Sequence, residues 1–327
     1  MGITLGVYSQ AALNINFGAL IFNEYKTRVL AGGGTVENDA CAIDFINSLN
    51  PFQGNTLLDL YPNAGFAYGF KRFKESYSGN NIRARENSGN TEQNIGAVSG
   101  VLDSSSLLTF TGSNDGLLPI IYDQSTNGNN LTQTTAANQL KIVDAGALVT
   151  SNSLAATQGS SSTGGQTSSI AFSSMTDIWF FDVLDVTNTS TPQVLYESSF
   201  NYASSTGAFL ITIENNVLRV SNKNSSNEGR NSYNISTGRQ VISIRMRAGV
   251  SIATFSEVYI NGTQISISAT TGTGNSVFSD KILYISARAG NSYGFRGKRQ
   301  ASIFYPFNQS ANRVDIETNL NAYYGIY

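Results

Sequence analysis

Four strand-borne carboxylates, Asp182, Asp185, Glu197 and Glu214, are the groups in this chain best suited to chemistry. With no histidine and one cysteine, Cys41, the chain cannot hold a Ser-His-Asp or Cys-His centre, a histidine-ligated zinc or an internal disulfide. What remains is carboxylates, hydroxyls or an oxygen-ligated metal. Asp182 is the oddest acid, because in IWFFDVLDV it shares a strand face with Phe180 and Leu184. It reads either as a buried acid with a raised pKa or as a strand-end residue bonded to backbone. Asp123, in YDQSTNGNN, reads as the organiser of a tight loop, with calcium ligation as the weaker alternative. Tyr202, Tyr293 and Phe295 fall in Gly/Asn/Ser-rich stretches and are candidates for stacking on a sugar. Trp179 lies in a strand apolar on both faces and reads as core.

The elements that must position these groups are mostly strands. Ile178–Val186 is apolar on both alternating faces, as a strand covered on both sides would be. Val194–Glu197, Phe209–Ile213, Val217–Val220, Val241–Met246, Ile282–Ala287 and Ala301–Tyr305 extend the pattern. Asn215-Asn216 suits a tight turn, and VYI-NG-TQISI is the clearest hairpin, since Asn-Gly favours a type I′ turn. Earlier strands are expected at Asn81–Arg85, Leu117–Tyr122 and Leu140–Val143. Phe66, Phe70, Phe73 and Tyr77 follow helical spacing, which predicts a helix over Ala64–Tyr77 with a core-facing stripe. GSSSTGGQTSS, Gly159–Ser169, reads as a long loop within the fold. The fold class is all-β, an antiparallel sandwich with a few short helices.

Charged residues are 13% of the chain and the formal net charge is −2, so no basic footprint for nucleic acid exists. Asn, Ser, Thr, Gln and Gly carry the polar surface instead. No run approaches the length of a membrane span, and the N-terminus has no basic region ahead of its apolar residues, unlike a Sec signal peptide. Residues 1–55 differ from the rest. There Gly32-Gly33-Gly34 precedes a helical pattern over Thr35–Leu49, without the Lys-Ser/Thr of a phosphate-binding loop. They read as an attachment or assembly segment, with the sandwich spanning 56–327.

One run is distinctive: AYGFKRFKESYSG, NNIRARENSGNTEQNIG, LDSSSLLTF, IIYDQSTNGNNLTQ and ANQLKIVDAG, in that order over Ala67–Gly146. It resembles the N-terminal half of the concanavalin-like sandwich of the arabinofuranosidase B family, a run that also recurs in bacteriophage proteins. VYINGTQIS and the closing GFRGKRQASIFYPFNQSANRVDIETNLNAYYGIY resemble laminin-G-type modules, in which a last core strand precedes a short helix near Asn312–Tyr323. The resemblance covers about Thr56–Tyr327. It implies a concanavalin-like jelly roll, and in the enzyme branch a retaining glycosidase with a glutamate nucleophile, an aspartate acid and a pair of adjacent cysteines under the sugar. This chain has no adjacent cysteines, and its acids do not match the family's motif.

The expectation is therefore a virion structural protein (capsid decoration, head fibre or tail fibre/spike) made in the host cytoplasm. It would attach to other virion proteins through residues 1–55, form a homo-oligomer and display a lectin-like sandwich to host-surface glycan. No catalytic residue, cofactor, nucleic acid or membrane is implied. The alternative is an arabinofuranosidase-like hydrolase, for which Asp182, Glu197 and Glu214 are the acids to test.

Overall fold

The computed structural model describes residues 56–199, 202, 205–224 and 227–327, and Leu57–Tyr327 form one compact unit. The expected helix at 35–49 and the attachment segment lie outside the described residues.

Two antiparallel sheets face each other. In the first, Thr263–Ile265, Ser256–Ile260, Gly238–Arg247, Asp177–Val186, Lys298–Tyr305 and Phe66–Gly69 follow in spatial order. In the second the order is Ile267–Thr271, Glu228–Asn234, Val217–Lys223, Phe209–Glu214, Gln193–Ser198, Lys281–Ile285 and Gly165–Ile170. The sheets are joined along one side. Thr157–Gln158 pairs with Lys298–Tyr305 and with Leu140–Asp144, which pairs with Gly116–Ile121. From there Leu131–Thr132 leads back to Gly165–Ile170. Ile82–Glu86 adds to the free edge of Gly116–Ile121. The result is a sandwich closed toward a barrel on the side of these linking strands.

Alternation along Asp177–Val186 explains its two apolar faces. Phe180 and Leu184 point between the sheets, where they meet Tyr196, Phe209, Ile211, Ile244 and Phe304. Trp179, Phe181 and Val183 point outward, and a second apolar layer with Ile303, Tyr305 and the helices Leu57–Leu60 and Arg313–Tyr324 covers them. Trp179 is fully buried in that layer, as its strand pattern predicts. Each such large side chain contributes about 1.5–3 kcal/mol on burial, so this central strand is the energetic spine of the fold. Both asparagine turns adopt the left-handed backbone that their sequences favour: φ is 51° and 60° at Asn215 and Asn216, and 52° and 80° at Asn261 and Gly262.

The structure corrects two expectations. Ala64–Tyr77 is not a helix: Phe66–Gly69 is a strand on the edge of Lys298–Tyr305, and the following residues are irregular. Phe66 stacks on Phe304 at 5.2 Å, whereas Phe73 turns into the outer layer, so the aromatics serve both faces of a sheet rather than one helical stripe. A Cβ at Gly65 or Gly69 would sit 2.5 Å from the ring of Phe304 or Phe73, which explains the two glycines. The Gly159–Ser169 stretch is a loop only in its first half. Gly165–Ile170 is a strand whose backbone pairs complete the second sheet although all its side chains before Ile170 are small or polar.

Candidate functional site

The strand acids do not converge. Asp182 is fully buried between the sheets, where its carboxylate receives bonds from Arg299 and from the Tyr196 hydroxyl at 2.6 Å. The Tyr196 hydroxyl also lies 2.5 Å from Ser302 Oγ. Burial raises the Asp182 carboxyl above the ordinary range, and the Arg299 charge opposes that rise. No substrate reaches it, so it is a core ion pair. Asp185 accepts from Ser151 Oγ at 3.1 Å.

Glu197 faces the outer side of the second sheet but is 2% exposed. It accepts from Ser199 Oγ at 2.7 Å and Ala289 N at 2.8 Å, with Arg288 Nε at 3.6 Å. These bonds tie the loop after Ile285 to the sheet. Glu214 is ion-paired with Arg219 beside the Asn215-Asn216 turn. Glu197 stands opposite Leu210 in the ladder, and Glu214 lies four residues further along that strand. At about 3.3 Å per residue the two are about 13 Å apart along the strand. That exceeds the roughly 5–5.5 Å of a retaining carboxylate pair and the roughly 6.5–9.5 Å of an inverting one. These acids do not form a hydrolytic pair.

Asp123 is the organiser of its loop. Oδ1 accepts from Ala67 N at 3.0 Å and Ser125 N at 2.8 Å, while Oδ2 accepts from Ser125 Oγ at 2.8 Å and Asn129 N at 3.1 Å. Four donors point at a carboxylate that is 4% exposed, which is an environment for an anion and not for calcium. Among the described residues no cluster of three or more acidic or sulfur ligands exists.

Two of the three aromatic candidates are interior. Tyr202 is 6% and Phe295 1% exposed, so neither offers a face to a sugar. Tyr202 lies against Arg288, and burial together with Glu228 pushes its hydroxyl pKa up. Phe295 packs into the main core, with Gly297 leaving room for its ring. Glycine-rich surroundings mark close packing here, not exposure. Tyr293 alone stays open, at 51%, held in a left-handed conformation with its carbonyl accepting from Val194 N at 2.7 Å.

The concavity that the sequence does not reveal lies over the linking strands. A cleft of about 660 Å³ is bounded by Ile82–Glu86, Gly116–Ile121, Leu140–Asp144 and the loop from Gly159 to Thr163. Its floor is prearranged: Arg85 donates to Gln139 Oε1 at 2.8 Å, to Asn90 Oδ1 at 2.6 Å and to the Ala136 carbonyl. Lys141 bridges Asp115 at 2.8 Å and Asp144 at 2.7 Å. The lysine and the amide of Ala145 hold the Asp115 carboxyl below the usual range, and Asp115 and Asp144 in turn raise Lys141. Asp115 thus stays ionised and is unsuited to act as a general acid. Asn87 and Gln158 bring amides to the cleft with no side-chain partner among the described residues. The Gly159–Thr163 wall is locked to the segment after Tyr293. A Cβ at Gly159 would lie 1.9 Å from the Phe295 carbonyl, and one at Gly294 2.0 Å from the Ser160 carbonyl. Gly294 N also donates to Ser161 O at 2.9 Å.

No protein-family profile matches the chain, and no curated protein does. Solved structures do. A GH54 α-L-arabinofuranosidase soaked with a cyclic sulfate inhibitor aligns at 18% identity and TM-score 0.57, covering 81% of this chain and 64% of that one. An arabinofuranosidase complexed with arabinofuranosyl-α-1,2-xylobiose aligns over the same shares, at 18% identity and TM-score 0.56. The chain thus spans 64% of the length of these proteins. At this identity the likeness concerns architecture, and the chain shares the β-sandwich fold of these arabinofuranosidase structures.

Proposed function

We propose that this chain is a glycan-binding β-sandwich that holds a neutral sugar in the cleft over its linking strands and does not hydrolyse it. The cleft carries the reading. Its volume, about 660 Å³, falls in the range of about 300–1,000 Å³ usual for small-ligand sites. Sugar hydroxyls both donate and accept, and the amides of Asn87 and Gln158 offer both functions without first breaking a protein bond. The charged groups beneath them are already paired or hydrogen-bonded within the protein, which favours an uncharged ligand. The Gly159–Thr163 wall runs against the backbone next to Tyr293, the exposed aromatic.

The finer reading is display on a bacteriophage particle, with residues 1–55 engaging other virion proteins and the sandwich meeting host-surface glycan as a homo-oligomer. It is supported by the sequence resemblance and by a polar surface built from amides and hydroxyls. Calorimetric titration with a panel of neutral oligosaccharides tests the core of the proposal. Binding should weaken at least tenfold in Gln158→Ala and Asn87→Ala, and no sugar should be released from an aryl arabinofuranoside. Arabinose release abolished by Glu197→Gln or Glu214→Gln would instead make the chain a hydrolase. Detection of the polypeptide in purified virions tests its location.

A further inference from the structure

Tyr293 is held in a way that its own side chain does not explain. Its φ is 49°, in the left-handed region that a bulky residue rarely adopts, and Ser286, Ala289 and Gly290 of the same loop stand at 66°, 47° and 75°. Such backbone persists only where the surroundings fix it. Val194 N donates to the Tyr293 carbonyl at 2.7 Å, Gly294 N to Ser161 O at 2.9 Å, and Arg288 N to Ser292 O at 2.7 Å. Ala289 N donates to Glu197 Oε2 at 2.8 Å. The Tyr293 ring is nevertheless open to solvent, and among the described residues it has no ring contact and its hydroxyl no hydrogen-bond partner.

The same loop is tied to the cleft. From the floor, Arg85 donates to Gln139, whose Nε2 donates to the Gln133 carbonyl at 3.0 Å. Gln133 Nε2 donates in turn to the carbonyls of Gly164 and Gly290, both at 2.9 Å. Gln133 thus joins the end of the cleft wall to the Tyr293 loop. Gly294 abuts Ser160, which lines the cleft, so the Tyr293 backbone stands one residue behind the rim.

We infer, on the reading that the cleft is the glycan site, that the ligand is a linear neutral oligosaccharide rather than a single sugar. One unit occupies the cleft, the chain crosses the Gly159–Thr163 wall, and a further unit lays its apolar C–H face on the Tyr293 ring. A phenol offers the apolar face and polar tip that a sugar unit matches. The backbone beneath it is fixed before binding, and a ligand already held in the cleft reaches the ring with little further loss of freedom.

Mono-, di-, tri- and tetrasaccharides of the xylose, arabinose, glucose and mannose series, titrated calorimetrically against the full chain, test this. In a series that binds, the tetrasaccharide should bind at least about tenfold tighter than the monosaccharide. Tyr293→Ala should erase that gain and leave monosaccharide affinity unchanged, Tyr293→Phe should keep it, and Gln158→Ala should weaken every member. Tetranitromethane should nitrate Tyr293 in the free chain, with protection by saturating tetrasaccharide and none by monosaccharide. Equal affinity along the ladder, or a gain that survives Tyr293→Ala, would overturn the assignment of Tyr293 and leave the cleft as a single-sugar site. Absence of binding by every member of every series would end both.

Discussion

At the scale of single residues, the buried charges separate structure from chemistry. Asp182 and Arg299 face each other inside the sandwich, so removing one strands the other in an apolar core. Asp182→Asn should destabilise the protein by about 3–5 kcal/mol in urea unfolding, and adding Arg299→Met should recover much of that loss. Sequence reading marks Asp182 as unusual because it interrupts an apolar face. The partner lies more than a hundred residues away, so the sequence alone cannot distinguish a neutralised acid from a reactive one. Lys71 supplies a second test. Burial lowers its folded pKa to about 8 against about 10.5 unfolded, so between these values the unfolded chain binds the extra proton. Stability should therefore rise as pH increases from about 8 to about 10, and sit about 3 kcal/mol lower below that window. Lys71→Met should abolish the rise, measured as urea midpoints across the range.

Among the elements, legibility followed side-chain period. Strands with apolar alternation, such as Asp177–Val186 and Phe209–Glu214, were visible, as were the Asn-Asn and Asn-Gly turns. Strands whose inward positions are polar or small were hidden. In Glu228–Asn234 the inward residues are Gly229, Asn231 and Tyr233, and Asn231 spends its amide on Ser256. The Ala64–Tyr77 aromatics matched a helix because the period cannot tell one stripe from residues divided between two layers. Gly65 and Gly69 were the available signal against it. The cleft was illegible for a different reason: its walls come from four separate stretches, and none carries a motif. Its rigidity depends on the seam where Gly159 and Gly294 each press on the other segment's carbonyl. Gly294→Ala should displace the Gly159–Thr163 wall and weaken oligosaccharide binding at least tenfold. The near-ultraviolet circular dichroism of the buried aromatics should meanwhile be retained.

Among the described residues of the molecule, many of the charges sit in closed sets. Asp177, Arg245, Glu257 and Arg247 form one network, Lys141 with Asp115 and Asp144 another, and Arg313 with Glu317 a third. Ligand recognition by amides and hydroxyls should then be nearly independent of salt. Affinity for a neutral oligosaccharide is expected to change less than twofold between about 0.05 and 0.5 M sodium chloride. A larger loss would mean that an ionic contact carries the binding.

Connectivity within the sheets also bears on how the protein is made. Asp177–Val186 has Gly238–Arg247 on one edge and Lys298–Tyr305 on the other, and among the described residues Phe66–Gly69 pairs only with the latter. A nascent chain must therefore hold Phe66–Gly69 without its partner, and Asp177–Val186 with one edge open, until Lys298–Tyr305 has been made. Long-range antiparallel closure of this kind is slow, and it leaves sticky edges exposed while synthesis continues. Chains arrested before Lys298 should consequently aggregate or be held by chaperones, so Lys298–Tyr305 acts as the clasp that closes the sandwich.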